Sequence, residues 1–202
     1  TMWSDLSGNG NHLSLMNALG SFEKGPTLVL GGLNGFNYIS FDGVASGLSN
    51  PAYRNLPIGK SDRTLIMVVS YQSAGWGGFT YGDASCNAIF GVGVTDLVGN
   101  LYAETFCDID EWGSGTMGMN AGWIVETLVL KSGVLSHYKD GKLIQVLDAN
   151  SFDTPALGSI VIGADQGLEI FVKMDVADVL LYSRALSDIE RTNLESLLLT
   201  KY

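Results

Sequence analysis

Six residues recur at every second position between 102 and 112: Tyr102, Glu104, Phe106, Asp108, Asp110 and Trp112. Successive side chains of a strand point to opposite faces, so these six share one face while Leu101, Ala103, Thr105, Cys107 and Ile109 share the other. The second set is small and mostly apolar, as a core face requires. The first interleaves aromatic plates with carboxylates, a combination that stacks on sugar rings and accepts bonds from sugar hydroxyls. A solvent-facing strand that carries Tyr, Glu and Asp for solubility alone is the competing reading.

Further groups of the same kind lie upstream. Residues 75–83 set Trp76 and Tyr81 among glycines, which suits a flexible loop offering an aromatic to a ligand. A Trp folded down over the end of the sheet fits the same residues. Asn87 adds an amide for sugar hydroxyls. Hydrolysis of a glycosidic bond would need two carboxyls at set spacings. Residues two apart on a strand are separated by ~6.6 Å and four apart by ~13 Å, against about 5–5.5 Å for a retaining pair and about 6.5–9.5 Å for an inverting one. Only Asp108 with Asp110 meets that requirement, and no catalytic residue is assigned. His12 and His137 have no Ser or Asp at nucleophile-elbow spacing and make no triad.

The strand that carries these groups needs a neighbour, and residues 86–94 also alternate, with a turn over 95–99. A hairpin centred between Asp96 and Leu97 sets Phe90 opposite Ala103 and Val92 opposite Leu101 on the core side. On the other side Gly91 faces Tyr102, Ile89 faces Glu104 and Asn87 faces Phe106. Gly91 and Gly93 then leave Tyr102 without side-chain cover, as close approach of a ligand needs. The same register brings Cys86 to Cys107, a candidate disulfide suited to an oxidising, extracellular setting. Two reduced, buried thiols are the alternative. With no His or further Cys at ligand spacing, a structural zinc site is excluded.

Residues 1–202 read as a single domain, long enough to bury a full core. Gly is abundant (26) and Pro scarce (4), and short apolar runs alternate with Gly, Asn, Asp and Ser clusters, which favours an all-β sandwich. A net charge of −10 and a pI near 4.4 argue against nucleic acid and an anionic membrane surface as partners, while a neutral polysaccharide is indifferent to the charge. Acidic loops tolerate Ca2+, and Asp83, Asp96, Asp108, Asp110, Asp153 and Asp165 lie in loops or at strand ends. EF-hand spacing is missing, so no metal ligand is assigned, and Ca2+ stands as the one candidate cofactor. No apolar run reaches ~18 residues. The start at Thr1 is not a signal peptide, so the chain reads as a mature domain or one excised from a longer, fused protein.

Several motifs together resemble a known family. Trp3, Asp5, Leu6, Ser7, Gly8, Asn9, Gly10, Asn11, His12 and Leu13 form a compact loop pinned by Trp3 and Leu6. With Tyr38, Ile39, Ser40, Phe41, Asp42 and Gly43 this loop looks like the opening of concanavalin A-like, laminin-G-like jelly-roll domains of secreted bacterial carbohydrate-active proteins and some virus particles. Ser61–Asp62–Arg63–Thr64 before a strand over 65–71, the Asp140–Gly141 turn, and residues 160–165 and 178–187 extend the resemblance over nearly the whole chain. It implies a two-sheet antiparallel jelly roll. For function it is less specific, because one scaffold hosts lectins, hydrolases, lyases and particle proteins. Jelly-roll hydrolases carry an E-x-D-x-x-E pattern, which Phe106 and Ile109 break.

Independently, Ser187 and Glu190 form a capping box that opens a short helix over about 188–199, with Ile189, Leu194, Leu197 and Leu198 as its apolar stripe. The function expected from these residues is a non-catalytic, lectin-like carbohydrate-binding module using Trp76, Tyr81, Asn87, Tyr102, Glu104, Asp108, Asp110 and Trp112, in an extracellular or secreted setting. The alternatives are a structural or adhesive domain of a virion or cell surface and, third, a jelly-roll glycoside hydrolase or lyase.

Overall fold

The structure, a computed structural model, describes residues 2–17, 20–21, 24–95, 97–105, 107 and 113–202. Phe106, Asp108, Asp110 and Trp112 lie outside the described residues. Along the chain come β1 (Met2–Trp3), β2 (Leu13–Ser14), β3 (Met16–Asn17), β4 (Gly20–Ser21), β5 (Thr27–Leu33), β6 (Phe36–Asp42), β7 (Leu48–Asn50) and β8 (Arg63–Tyr71). They are followed by β9 (Gly77–Gly82), β10 (Phe90–Val94), β11 (Leu101–Glu104), β12 (Ile124–Lys131), β13 (Val134–Lys139), β14 (Lys142–Asp148), β15 (Ser159–Ile162), β16 (Lys173–Tyr182) and α1 (Asp188–Lys201).

Two seven-stranded antiparallel sheets face each other, giving an all-β jelly-roll sandwich with one C-terminal helix. The front sheet runs β1-β2-β7-β15-β9-β10-β11 and the back sheet β14-β13-β12-β8-β16-β6-β5. Between them Leu65, Met67 and Val69 of β8 and Leu128 and Leu130 of β12 meet Phe79, Phe90, Val92, Leu101 and Ala103 of the front sheet. The intervening Ile66, Val68 and Val125 point the other way and are covered by Leu194 and Leu198 of α1. Burial on both faces explains why β8 and β12 read as nearly unbroken apolar runs rather than as alternating ones.

The helix begins at the capping box: Ser187 accepts from the Glu190 amide, and Glu190 accepts from the Ser187 amide. Its buried face differs from the expected stripe, since Ile189 and Leu197 are exposed while Arg191 and Glu195 are buried. Arg191 stacks 3.7 Å from the Tyr138 ring centroid and donates to Glu195 over 2.6 Å, so an ion pair takes the place of two aliphatic contacts. The β13–β14 hairpin turns at Asp140 and Gly141, both at positive φ (49° and 80°), which the primed two-residue turn requires.

One cation is sealed inside the sandwich. The Arg63 guanidinium, with no exposed surface, donates to the carbonyls of Ser61, Pro57, Ile58 and Gly59 and to the hydroxyls of Tyr81 and Thr154. The rings of Tyr81, Phe90 and Phe152 surround it. In the N-terminal loop, Leu6 is almost wholly exposed and pins nothing. The loop is held instead by Asp5, whose carboxylate accepts from the amides of Ser7 and Asn11, and by His12, whose Nδ1 accepts from the Asp5 amide.

Candidate functional site

The β10–β11 hairpin is built as two cross-strand rows with β9. Thr80, Gly91 and Glu104 stand side by side, and Gly78, Gly93 and Tyr102 form the next row. This register is two residues away from the expected one, because the loop closes between Thr95 and Asn100: the Thr95 amide donates to the Asn100 carbonyl and the Gly99 amide to the Thr95 carbonyl. The hairpin is therefore centred one position later than the expected turn. A slip of two leaves every side chain on its face. Leu101 and Ala103 stay in the core, and Tyr102 and Glu104 stay on the outer face of the front sheet.

That outer face is covered rather than open. Tyr102 and Glu104 are each only 4% exposed. A Cβ on Gly91 would come within 2.6 Å of the Thr80 methyl, and one on Gly93 within 3.0 Å of the Tyr102 ring, so these glycines accommodate neighbouring side chains rather than expose the strand. Residues 163–171 lie across the same face. Gln166, 2% exposed, accepts from the Thr80 hydroxyl and donates to the Gly82 carbonyl and to the Ser159 carbonyl and hydroxyl. Asp165 holds this covering segment in shape, its carboxylate accepting from the amides of Gly167, Glu169 and Ile170. Nothing in the sequence marked Gln166 as a partner of β9, since its contacts come from residues far away along the chain.

Trp76 is half-buried and packs edge-on to Tyr102. The flat row of exposed aromatics expected here is thus not formed by Trp76 and Tyr102. Tyr81 is a correction of another kind. It has no exposed surface, packs in the inter-sheet core, and spends its hydroxyl on Arg63 and the Pro57 carbonyl, so it contacts no ligand. Asn87 is half-buried at a positive φ of 58°.

Cys86 and Cys107 are joined by a disulfide across the mouth of the hairpin, with Cα atoms 5.1 Å apart. Asn87 adjoins one half-cystine, and Glu104 lies three residues before the other. Two buried oxygens, Glu104 Oε2 on β11 and Asn87 Oδ1 ahead of β10, have no hydrogen-bond partner among the described residues. Burial pushes the Glu104 carboxyl up to about 8, against a hydrogen bond from Tyr102 that lowers it, and the nearby Asp165 charge adds to the rise. At neutral pH Glu104 is mostly a neutral acid, able to donate as well as accept. Among the described residues no group of three or more His, Cys, Asp or Glu could hold a metal ion.

A second concavity, of about 510 Å3, opens where the two sheets part, lined on one side by Trp3, Leu13, Phe79 and Ile160 and on the other by residues 178–183.

No family model matches this sequence, and no curated protein matches it. The fold is widely shared among solved structures. A GH54 α-L-arabinofuranosidase, an E221Q mutant soaked with 4-nitrophenyl α-L-arabinofuranoside, superposes with a TM-score of 0.77 at 12% identity, over 100% of this chain and 50% of that one. Domain 4 of AbnA, a GH43 extracellular arabinanase from Geobacillus stearothermophilus in complex with arabinotriose, superposes with a TM-score of 0.69 at 17% identity, over 95% of this chain and 92% of that one. The botulinum neurotoxin serotype D binding domain gives 0.63 at 11% identity, over 96% and 48%. The chain spans about half the length of the arabinofuranosidase chains it matches. At these identities the likeness is one of fold.

Proposed function

We propose that this chain is a non-catalytic, lectin-like carbohydrate-binding module with laminin-G-like topology, which holds a neutral oligosaccharide against the β9–β10–β11 end bordered by Trp76, with Glu104 on the same face. The observation that carries the reading is the buried Glu104 Oε2, left without a partner two positions along β11 from Tyr102, on whose ring the half-buried Trp76 packs. Buried acceptors are nearly always paired, and sugar hydroxyls are donors of the right kind. A domain of almost the same extent is known with arabinotriose, so arabino-oligosaccharides are the first ligands to try. The Cys86–Cys107 bridge fits an oxidising, extracellular setting.

Hydrolysis is the second reading, and one observation favours it: a carboxyl raised to about 8 lies near the Asp165 charge. Two acids with separated pKa values are the usual acid–base arrangement. Against it, both Asp165 oxygens are engaged by backbone amides, which fixes that carboxylate as a loop brace.

Calorimetry with arabinotriose, arabinan and xylan, with and without EDTA, followed by a reducing-end assay, tests both readings. Saturable binding without new reducing ends is expected. Release of reducing ends, abolished in Glu104→Gln, would replace the binding module by the hydrolase. The absence of binding across a broad glycan panel would leave a structural or adhesive domain.

A further inference from the structure

The N-terminal loop takes no part in the outer face of β9–β11, yet four of its residues, Trp3, Asp5, Asn9 and Asn11, line the cavity of about 510 Å3 between the sheets. That volume falls in the usual range for small-molecule sites, about 300–1,000 Å3. The apolar lining lies deep, since Leu13, Phe79 and Ile160 of the front sheet are buried. The polar lining lies nearer solvent: Ser4, Ser7 and Asn55 are exposed, and Asp5 and Asn9 are half-buried. Trp3, half-buried, adds an indole to the wall.

The polar rim is held in place by its own bonds. Asn11, 9% exposed, accepts from the Arg54 amide and donates to the Arg54 carbonyl, which ties the loop to the residue before Asn55. The Asn55 side-chain amide donates to Asn9 Oδ1. Asp5 accepts one backbone amide on each oxygen, from Ser7 and Asn11, and a carboxylate oxygen has lone pairs for more than one donor. Groups fixed in this way need little ordering when a ligand arrives.

Charge and polarity narrow the ligand. Among the described residues no Lys, Arg or His lines the cavity, and its two acids are Asp5 and Asp178, the second paired with Lys201. An anion would therefore meet a carboxylate without a counter-charge. A hydrocarbon chain or an apolar peptide would strip water from Asp5, Asn9 and Asn55 without replacing its bonds. A sugar ring combines an apolar face with a rim of hydroxyls that both donate and accept, which matches an apolar floor beneath amides and a carboxylate.

We propose that this cavity is a second glycan site, which takes a neutral sugar unit with its apolar face toward Trp3 and the floor and its hydroxyls toward Asp5, Asn9 and Asn55. The site goes beyond the outer-face reading and does not rest on it, since the cavity includes neither Trp76, Tyr102 nor Glu104.

Trp3 and Trp76 each carry an indole N–H, so nitrogen-edited NMR spectra of the intact chain report the two sites separately. The probes are arabinotriose, xylotriose and cellotriose at millimolar concentration, with trigalacturonic acid as the anionic control. At least one neutral trisaccharide should shift the Trp3 indole signal saturably, and trigalacturonic acid should leave it in place. Asn55→Gly, which suits the positive φ of 55° there, removes one rim amide and should weaken the Trp3 titration about tenfold, with any Trp76 response as in wild type. The wild-type contrast between neutral and anionic trimers keeps the test valid if that variant fails to fold. A Trp76 response without a Trp3 response would overturn this site and leave the outer-face reading standing, whereas a Trp3 response alone would do the reverse. Silence of Trp3 with all three neutral trimers, an equal response to trigalacturonic acid, or a Trp3 titration unchanged in folded Asn55→Gly would each overturn the proposal.

Discussion

The indole of Trp76 meets the ring of Tyr102 edge-on, with centroids 5.1 Å apart and planes at 84°. Tyr102 is thereby used up as packing, and of the two rings only Trp76 keeps part of its surface exposed. Trp76→Ala should therefore weaken oligosaccharide affinity by about tenfold, or ~1–2 kcal/mol, while the chain stays folded. Tyr102→Ala should instead destabilise the fold by ~3–5 kcal/mol. Calorimetry paired with urea unfolding separates the two effects, and equal affinity in Trp76→Ala would remove that residue from the site.

Glu104 makes stability depend on pH in a defined direction. Its folded pKa of about 8 lies above the ordinary 4.5, so between those values the folded state holds a proton that the unfolded chain has released. The contribution of that proton to stability is full below about pH 4.5, declines as pH rises through the window, and is gone above about pH 8. Wild type should lose ~2–4 kcal/mol between pH 5 and pH 9 that Glu104→Gln retains. Urea midpoints of both proteins at pH 5, 7 and 9 check this, and parallel profiles would mean that Glu104 is ionised in the folded state.

The disulfide links residues 21 apart and closes the hairpin on which Asn87 and Glu104 sit. Loop-closure entropy puts its stabilisation at ~3 kcal/mol. Cys86→Ser should lower unfolding stability by about that amount and also lose glycan affinity. Adding reductant to wild type should reproduce both losses, and unchanged binding on reduction would detach the bridge from the site.

Beneath α1, Arg191 and Glu195 form a buried ion pair. Glu195→Ala leaves the guanidinium short of its closest counter-charge in a dry interface and should cost ~3–5 kcal/mol. The double change Arg191→Met with Glu195→Leu should recover most of that loss. Denaturant unfolding of the three variants distinguishes an interaction that stabilises the helix from one that only specifies its seat.

Much of the architecture was legible because short-range chemistry decides it. Asp140–Gly141 announced its hairpin through the φ values the turn requires, and Ser187 with Glu190 announced the helix start through reciprocal capping. The alternation of Leu101, Tyr102, Ala103 and Glu104 gave the correct faces even though the register was displaced, since a two-residue slip preserves parity. What could not be read was burial imposed from elsewhere in the chain. Residues 163–171 turn the outer face of β9–β11 from an exposed plate into a covered one. Tyr81, an aromatic between glycines, answers instead to Arg63 across the core. Sequence spacing records which face a side chain takes, while the cover on that face comes from contacts whose sequence separation hides them.

Arg63 has a consequence for how the molecule responds to alkali. All six of its acceptors are carbonyl or hydroxyl oxygens, none of which gains or loses a proton between mild acid and pH 9. Neighbouring positions on β9 thus serve two chemically insulated regimes: Thr80 shares a face with the proton-sensitive Glu104, and Tyr81 faces a cation whose bonding is blind to pH. Mild alkali would loosen the surroundings of Glu104 while the sheets remain clamped around Arg63, so a local change on the outer face and loss of the fold become separable events.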